Sequence, residues 1–155
     1  MTQQSLLQRE VLCFTIYGQP ASKANSRKIV DLPNGKGGKR KASIKSEQAR
    51  AFEADALRQI PAMARKRLAG PIRFTARIYY LSERSDLDES VVMDVLQDRY
   101  IKAPDPKDPT GKKRVRKLVQ DGVYRNDRQI KEKHIYHGID KCRPRVEIRI
   151  EEMAP

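Results

Sequence analysis

The sequence predicts an α+β fold: one compact domain over residues 1–155, with a mixed β-sheet and two principal helices. Three patterns predict it. Ile72, Phe74, Ala76, Ile78 and Tyr80 alternate with Arg73, Thr75, Arg77 and Tyr79, the period of a strand with one buried face. Val146, Ile148 and Ile150 alternate with Glu147, Arg149 and Glu151 in the same way. Ala49, Phe52, Ala56, Leu57 and Ile60 instead recur at helical spacing.

Taken in order, Met1–Glu10 is polar and no long apolar segment follows it, so no secretory signal is expected. Val11–Tyr17 is rich in β-branched and aromatic residues and reads as a first strand stopped by Gly18-Gln19-Pro20. Its alternation is weak, which predicts a strand partly covered on both faces. The stretch 21–45 is a basic loop with eight positive residues against Asp31 alone. A hairpin from Arg27–Leu32 to Lys41–Ile44 fits around Asn34-Gly35. Ser46 is placed as the N-cap of the helix that Pro61 ends. The 72–81 strand should pack one face on that helix and leave its arginine-bearing face wet. A second helix follows Asp88 and buries Val91, Val92, Val95 and Leu96. Residues 99–117 carry three prolines and eight cations against Asp105 and Asp108, and read as a basic loop with a short helix at the Lys112–Gln120 end. Gly122 turns the chain into Val123-Tyr124-Arg125, and the 145–151 region forms the last strand.

The net charge of +13 comes from 33 Lys plus Arg against 20 Asp plus Glu. It draws a polyanion and hastens encounter with it. An anionic membrane would answer the same charge, but no long amphipathic helix with aromatic anchors is present, and no apolar run approaches the roughly 20 residues of a span. Nucleic acid is therefore the expected partner. Lys23, Arg27, Lys28, Lys39, Arg40 and Lys41 in the first basic segment, Lys112, Lys113 and Arg114 in the second, and Arg125 are the candidate phosphate contacts. A solvated loop is the competing reading. The glycines of 34–38 do not form the Gly-x-x-x-x-Gly-Lys-Ser/Thr loop of nucleotide phosphate binding. Cys13 and Cys142, the two cysteines, form no Cys-x-x-Cys pair and read as free thiols.

Within these positive surroundings stand Asp86 and Asp88, where the 72–81 strand should end, and Asp127 in a later polar junction. On an extended segment, residues two apart leave the same face. Carboxylate oxygens suit Mg²⁺ or Mn²⁺, which activates water and offsets charge on a phosphate. The bland alternative is a helix cap, with Ser85 and Asp88 forming a local capping box. His134 and His137, three apart, would meet on a helix but not on a strand, and a structural role is favoured for both.

Three segments in order resemble the RusA family of Holliday-junction resolvases, the crossover-junction endodeoxyribonucleases. Phe14-Thr15-Ile16-Tyr17-Gly18-Gln19-Pro20-Ala21-Ser22-Lys23 resembles the family's first strand and basic loop. Ser85-Asp86-Leu87-Asp88 resembles its Asp-x-Asp core, and Gly122-Val123-Tyr124-Arg125-Asn126-Asp127-Arg128-Gln129-Ile130 its later acidic signature. The resemblance implies Asp86, Asp88 and Asp127 as catalytic metal carboxylates, Mg²⁺ (or Mn²⁺) as cofactor, and paired hydrolysis of four-way DNA junctions by a homodimer. It also implies roles in recombination or repair, in the cytoplasm or nucleoid, and is compatible with a phage or other mobile element as source. Three positions depart from the family pattern. Asn126 stands where an Asp is usual, Glu89 where an Asn is usual, and Val92 where the catalytic Lys is expected. Lys102, Lys112, Lys113 and Arg125 are the candidate replacements for that cation. Without one, the alternative is a non-catalytic branched-DNA-binding or architectural protein.

Overall fold

The strongest alternation in the chain forms the centre of the sheet. In the computed structural model, which describes residues 9–83 and 88–155, strand β4 (Ile72–Tyr80) buries every second side chain. Ile72, Phe74, Ala76, Ile78 and Tyr80 all lose their contact with solvent. Around it lies a four-stranded mixed sheet in the order β1-β8-β4-β7. Strand β1 (Val11–Tyr17) pairs antiparallel with β8 (Arg145–Glu152), β8 antiparallel with β4, and β4 parallel with β7 (Ile130–Ile139).

Helix α1 (Glu47–Gln59) covers one face of the sheet. The Ser46 hydroxyl caps it by accepting from the Ala49 amide at 3.1 Å, and Ala49, Phe52 and Ala56 supply its buried stripe. Helix α2 (Ser90–Leu96) is under two turns long and adds Val92, Val95 and Leu96 to the same core. Burying such side chains contributes about 1.5–3 kcal/mol each before entropy is counted. That gain holds so short a helix, which would not persist alone.

Among the described residues no helix covers the other face of the sheet. Cys13 and Tyr17 of β1 are exposed there, whereas Phe14 and Ile16 point inward. The expectation that β1 is partly covered on both sides is thus corrected: it is an edge strand, and no helix lies over its outer face. The open face is braced by arginines on aromatic rings. Arg145 lies 4.1 Å over Tyr79, Arg143 4.1 Å over Tyr17 and Arg77 5.0 Å over Tyr136. Gly138 is paired with Tyr79, and a Cβ there would fall 2.7 Å from that ring, so the ring's seat requires glycine.

Two hairpins leave this body. The first, β2 (Arg27–Pro33) with β3 (Lys39–Lys45), has the pairing expected around Asn34-Gly35. Asn34 closes the turn by accepting from the amides of Lys36 and Gly38 at 2.9 and 3.0 Å. The second corrects the sequence reading. Residues 99–117 are not an irregular loop, nor is there a helix over Lys112–Gln120. Strand β5 (Arg99–Pro104) pairs antiparallel with β6 (Arg114–Gln120). The prolines and aspartates fall at its tip, where Asp105 and Asp108 accept from the backbone of Lys107, Thr110 and Lys113.

The root of this second hairpin is pinned to α2. The Val123 amide donates to the Leu96 carbonyl at 2.7 Å, and the Asp98 amide to the Tyr124 carbonyl at 3.1 Å. Gly122 sits so close that a Cβ would be 2.4 Å from the backbone of Gln97 and Asp98. No helix of the described residues is long and apolar enough to cross a membrane.

Candidate functional site

Chain order after β4 delivers the acids. Asp88 lies just before α2 and is 4% exposed. Its Oδ1 accepts from the Ser90 amide at 3.2 Å and from the Ser90 hydroxyl. Asp88 therefore fastens the start of α2, whereas the capping box considered for Ser85 and Asp88 involves a residue outside those described. Asp86 and Ser85 lie outside the described residues.

Asp127 approaches from the other side. Segment 122–127 is clamped to α2 by Tyr124, a buried ring whose hydroxyl donates to the Met93 carbonyl at 2.6 Å. Burial pushes the Tyr124 phenol well above its ordinary value, with Asp127 and Asp94 adding to the push. The Asp127 amide donates to Gln97 Oε1 at 3.2 Å at the end of α2. Asn126, where the resemblance leads one to expect Asp, caps the next turn. Its side chain accepts from the Arg128 amide at 2.9 Å while Gln129 Oε1 accepts from the Asn126 amide at 2.8 Å. This reciprocal capping box opens the 3₁₀ turn that leads into β7, and a neutral amide performs it.

Asp94 joins the two acids and was missed by the sequence reading. It is a single carboxylate within the apolar run of α2, and that interruption was the available signal. Burial raises its pKa above the ordinary carboxylate value. Lys45 opposes the shift, while Asp127, Glu53 and Asp88 reinforce it. Asp88, Asp94 and Asp127 therefore share one electrostatic neighbourhood. Among the described residues, no three carboxylate, histidine or cysteine side chains come close enough together to hold a metal ion.

Three cations pair with the neighbouring glutamates Glu89 and Glu53. Lys133 of β7 reaches Glu89 Oε1 at 2.8 Å. Burial would raise the Glu89 pKa, but the hydrogen bond from Lys133 and the charge of Lys23 help hold it below the ordinary value. Lys45, at the end of β3, contacts Glu53 Oε2 at 2.5 Å, and Arg99 takes the other oxygen of Glu53 at 2.8 Å. Val92, at the position where the family resemblance leads one to look for lysine, is fully buried in the core. Lys133 and Lys45 were missed because each belongs to an unremarkable strand pattern in the sequence.

The remaining candidates divide between the hairpins. Lys23 lies exposed in a short 3₁₀ turn after β1. In the β2–β3 ribbon, Arg27, Lys39, Lys41 and Lys45 share one face and Lys28 and Arg40 the other. Arg27 also braces the ribbon through the Ser43 hydroxyl and carbonyl at 2.9 and 2.7 Å, and Lys28 pairs with Glu47 at 3.6 Å. In the β5–β6 ribbon, Lys102, Arg114 and Arg116 share a face, with Arg116 4.2 Å over the Tyr100 ring. Lys112 and Lys113 are exposed where the tip turns back, and Arg125 is exposed beside the 3₁₀ turn. His134 and His137 fall on opposite faces of β7. His134 contacts Glu132 at 2.7 Å, and His137 lies edge-on to Tyr80 at 5.3 Å, so the helical meeting considered for them does not occur. Both Cys13 and Cys142 are free and exposed.

Comparison with known proteins finds no family model that matches this chain and no curated protein similar to it.

Proposed function

We propose that this protein is a Mg²⁺-dependent, structure-selective endodeoxyribonuclease that resolves four-way DNA junctions. The observation that carries the reading is the shared neighbourhood of Asp88, Asp94 and Asp127, felt at Asp94, in a chain of net charge +13. Acids drawn together inside a basic protein oppose folding and call for a cation. The donors are hard carboxylate oxygens, which suit Mg²⁺ or Mn²⁺ rather than a soft metal. Asp86, Asp88 and Asp127 would hold the ion. Its chemistry there would be to polarise the phosphate and lower the pKa of attacking water.

The chain's own residues supply the rest. The basic ribbons β2–β3 and β5–β6 bind the phosphate backbone and orient the duplex arms. In hydrolysis, a bond forms between water oxygen and phosphorus, one ester P–O bond breaks, and the departing oxygen takes up a proton. A homodimer would place one such site on each of two opposing strands, as paired cuts require.

A second reading has its own support. Asp88 already fastens the start of α2, and Val92 is buried, which favours a branched-DNA-binding protein without cleavage. Incubation of the protein with a labelled four-way junction, a matched duplex and single-stranded DNA separates the two. Cleavage of the junction that requires Mg²⁺ or Mn²⁺, and that Asp86→Asn abolishes while leaving binding intact, is the expected result. Salt-sensitive junction binding with no metal-dependent product across pH and salt would leave only the second reading.

A further inference from the structure

Lys133 stands on β7, an edge strand of the sheet. Its partner across the parallel ladder is Phe74, so it occupies the face of β7 that faces the core. Ile135, two residues on and on the same face, packs against that core. The Lys133 side chain is 42% exposed and carries its ammonium to Glu89, beside the start of α2.

The ammonium pairs with an acid at the start of α2. It lies 2.8 Å from Glu89, the residue directly after Asp88. Lys133 also lines, with Asp127, Met93, Ile130, Lys131 and Glu132, a cavity of about 200 Å³ at the junction of α2 and β7. The other nearby cations are placed differently. Lys45 is engaged with Glu53, whose second oxygen holds Arg99. Lys23 stands in an exposed turn.

We propose that Lys133 is the catalytic cation of this site, standing in from β7 for the lysine that α2 does not carry at Val92. The proposal rests on the nuclease reading above. In it, the ammonium donates to a non-bridging oxygen of the scissile phosphate. Charge grows on that oxygen as the water–phosphorus bond forms and the ester bond breaks. Lys133 keeps its proton throughout. Glu89 is a positioning residue that holds the ammonium beside the acids until phosphate takes its place. A merely structural ion pair between two partly exposed side chains would add little and would leave chemistry untouched.

The test uses the full chain, a labelled four-way junction and single-turnover conditions. Lys133→Met, and independently Lys133→Gln, should lower the cleavage rate constant by about 10²–10³-fold. Lys133→Arg should recover part of it. Junction affinity without metal and Mn²⁺ binding by calorimetry should stay within about 3-fold of the parent, a factor worth only about 0.7 kcal/mol. Thermal melting confirms that each variant is folded. A parent protein that cleaves beside Lys133→Met and Lys133→Gln variants that cleave equally well overturns this inference and leaves the nuclease reading standing. Loss of junction or Mn²⁺ binding as large as the loss of rate overturns it too. A folded parent that binds the junction but never cleaves it overturns the nuclease reading, and this inference with it.

Discussion

Arg67 grips the carboxylate of Asp98 through two nitrogens, Nε at 3.1 Å and Nη2 at 2.9 Å from the same oxygen. The Gly122 amide donates to the other oxygen at 2.8 Å. This contact ties the segment before β4 to the end of α2 and to the return of the second hairpin. Arg67 adopts a left-handed backbone, φ 50°, to make it. The Asp98 side chain is fully shielded, whereas Arg67 remains about one-third exposed at 34%. Asp98→Ala should therefore destabilise the fold by about 3 kcal/mol, the low end for removing one partner of a buried pair, because the orphaned guanidinium still meets water. Urea unfolding with an unchanged m-value checks this.

The same carboxylate sets part of the acid stability. Burial would raise its pKa, but hydrogen bonds from Arg67 and Gly122, with the charge of Arg67, bring it below the ordinary value. A depressed folded pKa means the unfolded chain binds more protons, so the contribution is complete above the unfolded pKa of about 3.9. It is lost as pH falls through the folded pKa. Parent and Asp98→Asn should converge in melting temperature as pH drops below about 4. A gap that persists unchanged at lower pH would contradict the assignment.

Asp94 has the opposite sign. Its folded pKa is raised, chiefly by burial and then by neighbouring acids against Lys45. Stability tied to its protonated form is present below the unfolded pKa and declines as pH rises through the folded one. At neutral pH and without divalent metal, Asp94→Asn should raise the melting temperature, by about 2–4 °C if the relief is about 1 kcal/mol. Differential scanning calorimetry at pH 7 in chelator is the measurement. A lower melting temperature would show that Asp94 is a stabilising group instead.

The β5–β6 arm should act through phosphate alone. Replacing Lys112, Lys113 and Arg114 by Gln should weaken DNA binding and flatten the salt dependence. The slope of log K against log salt should fall by about 1 to 3, since each lost phosphate contact removes about 0.9. Melting temperature should hardly move, because the three are exposed and the Lys113–Asp105 pair at 3.6 Å has a largely exposed lysine. Fluorescence anisotropy across a salt series reads the slope.

Restoring lysine on the helix should fail. Val92 is fully buried, and an ammonium there would be stripped of its water. Val92→Lys should cost at least about 3 kcal/mol in urea unfolding and bring no gain in junction cleavage.

How much of this was legible depended on what each side chain had to do. Strands β4 and β8 could be read because each buries one face, and burial writes a period of two into the sequence. Helix α1 and its Ser46 cap were legible for the same reason at period 3.6. Strands β5 and β6 were not. They form a two-stranded ribbon off the body, so no core imposes alternation, and Pro104, Pro106 and Pro109 pointed to a loop. At the site, Asp127 could be picked out because a polar turn holds it. Asp94 and Lys133 could not, because Asp94 is one charge in an apolar helix, Lys133 one of several charges in a polar strand, and only the fold gives either its neighbours. The capping role of Asn126 likewise needed Gln129 folded back on it.

The root of the β5–β6 hairpin has one more consequence. Its two ends meet at Asp98 and Tyr124, held by backbone hydrogen bonds that belong to the body rather than to the arm. Loop closure depends only weakly on length once the ends are fixed. Residues 100–119 can accordingly be shortened, lengthened or exchanged while β4, α2 and the acids keep their places. The length of the arm is thus separable from the arrangement of the acids at its base.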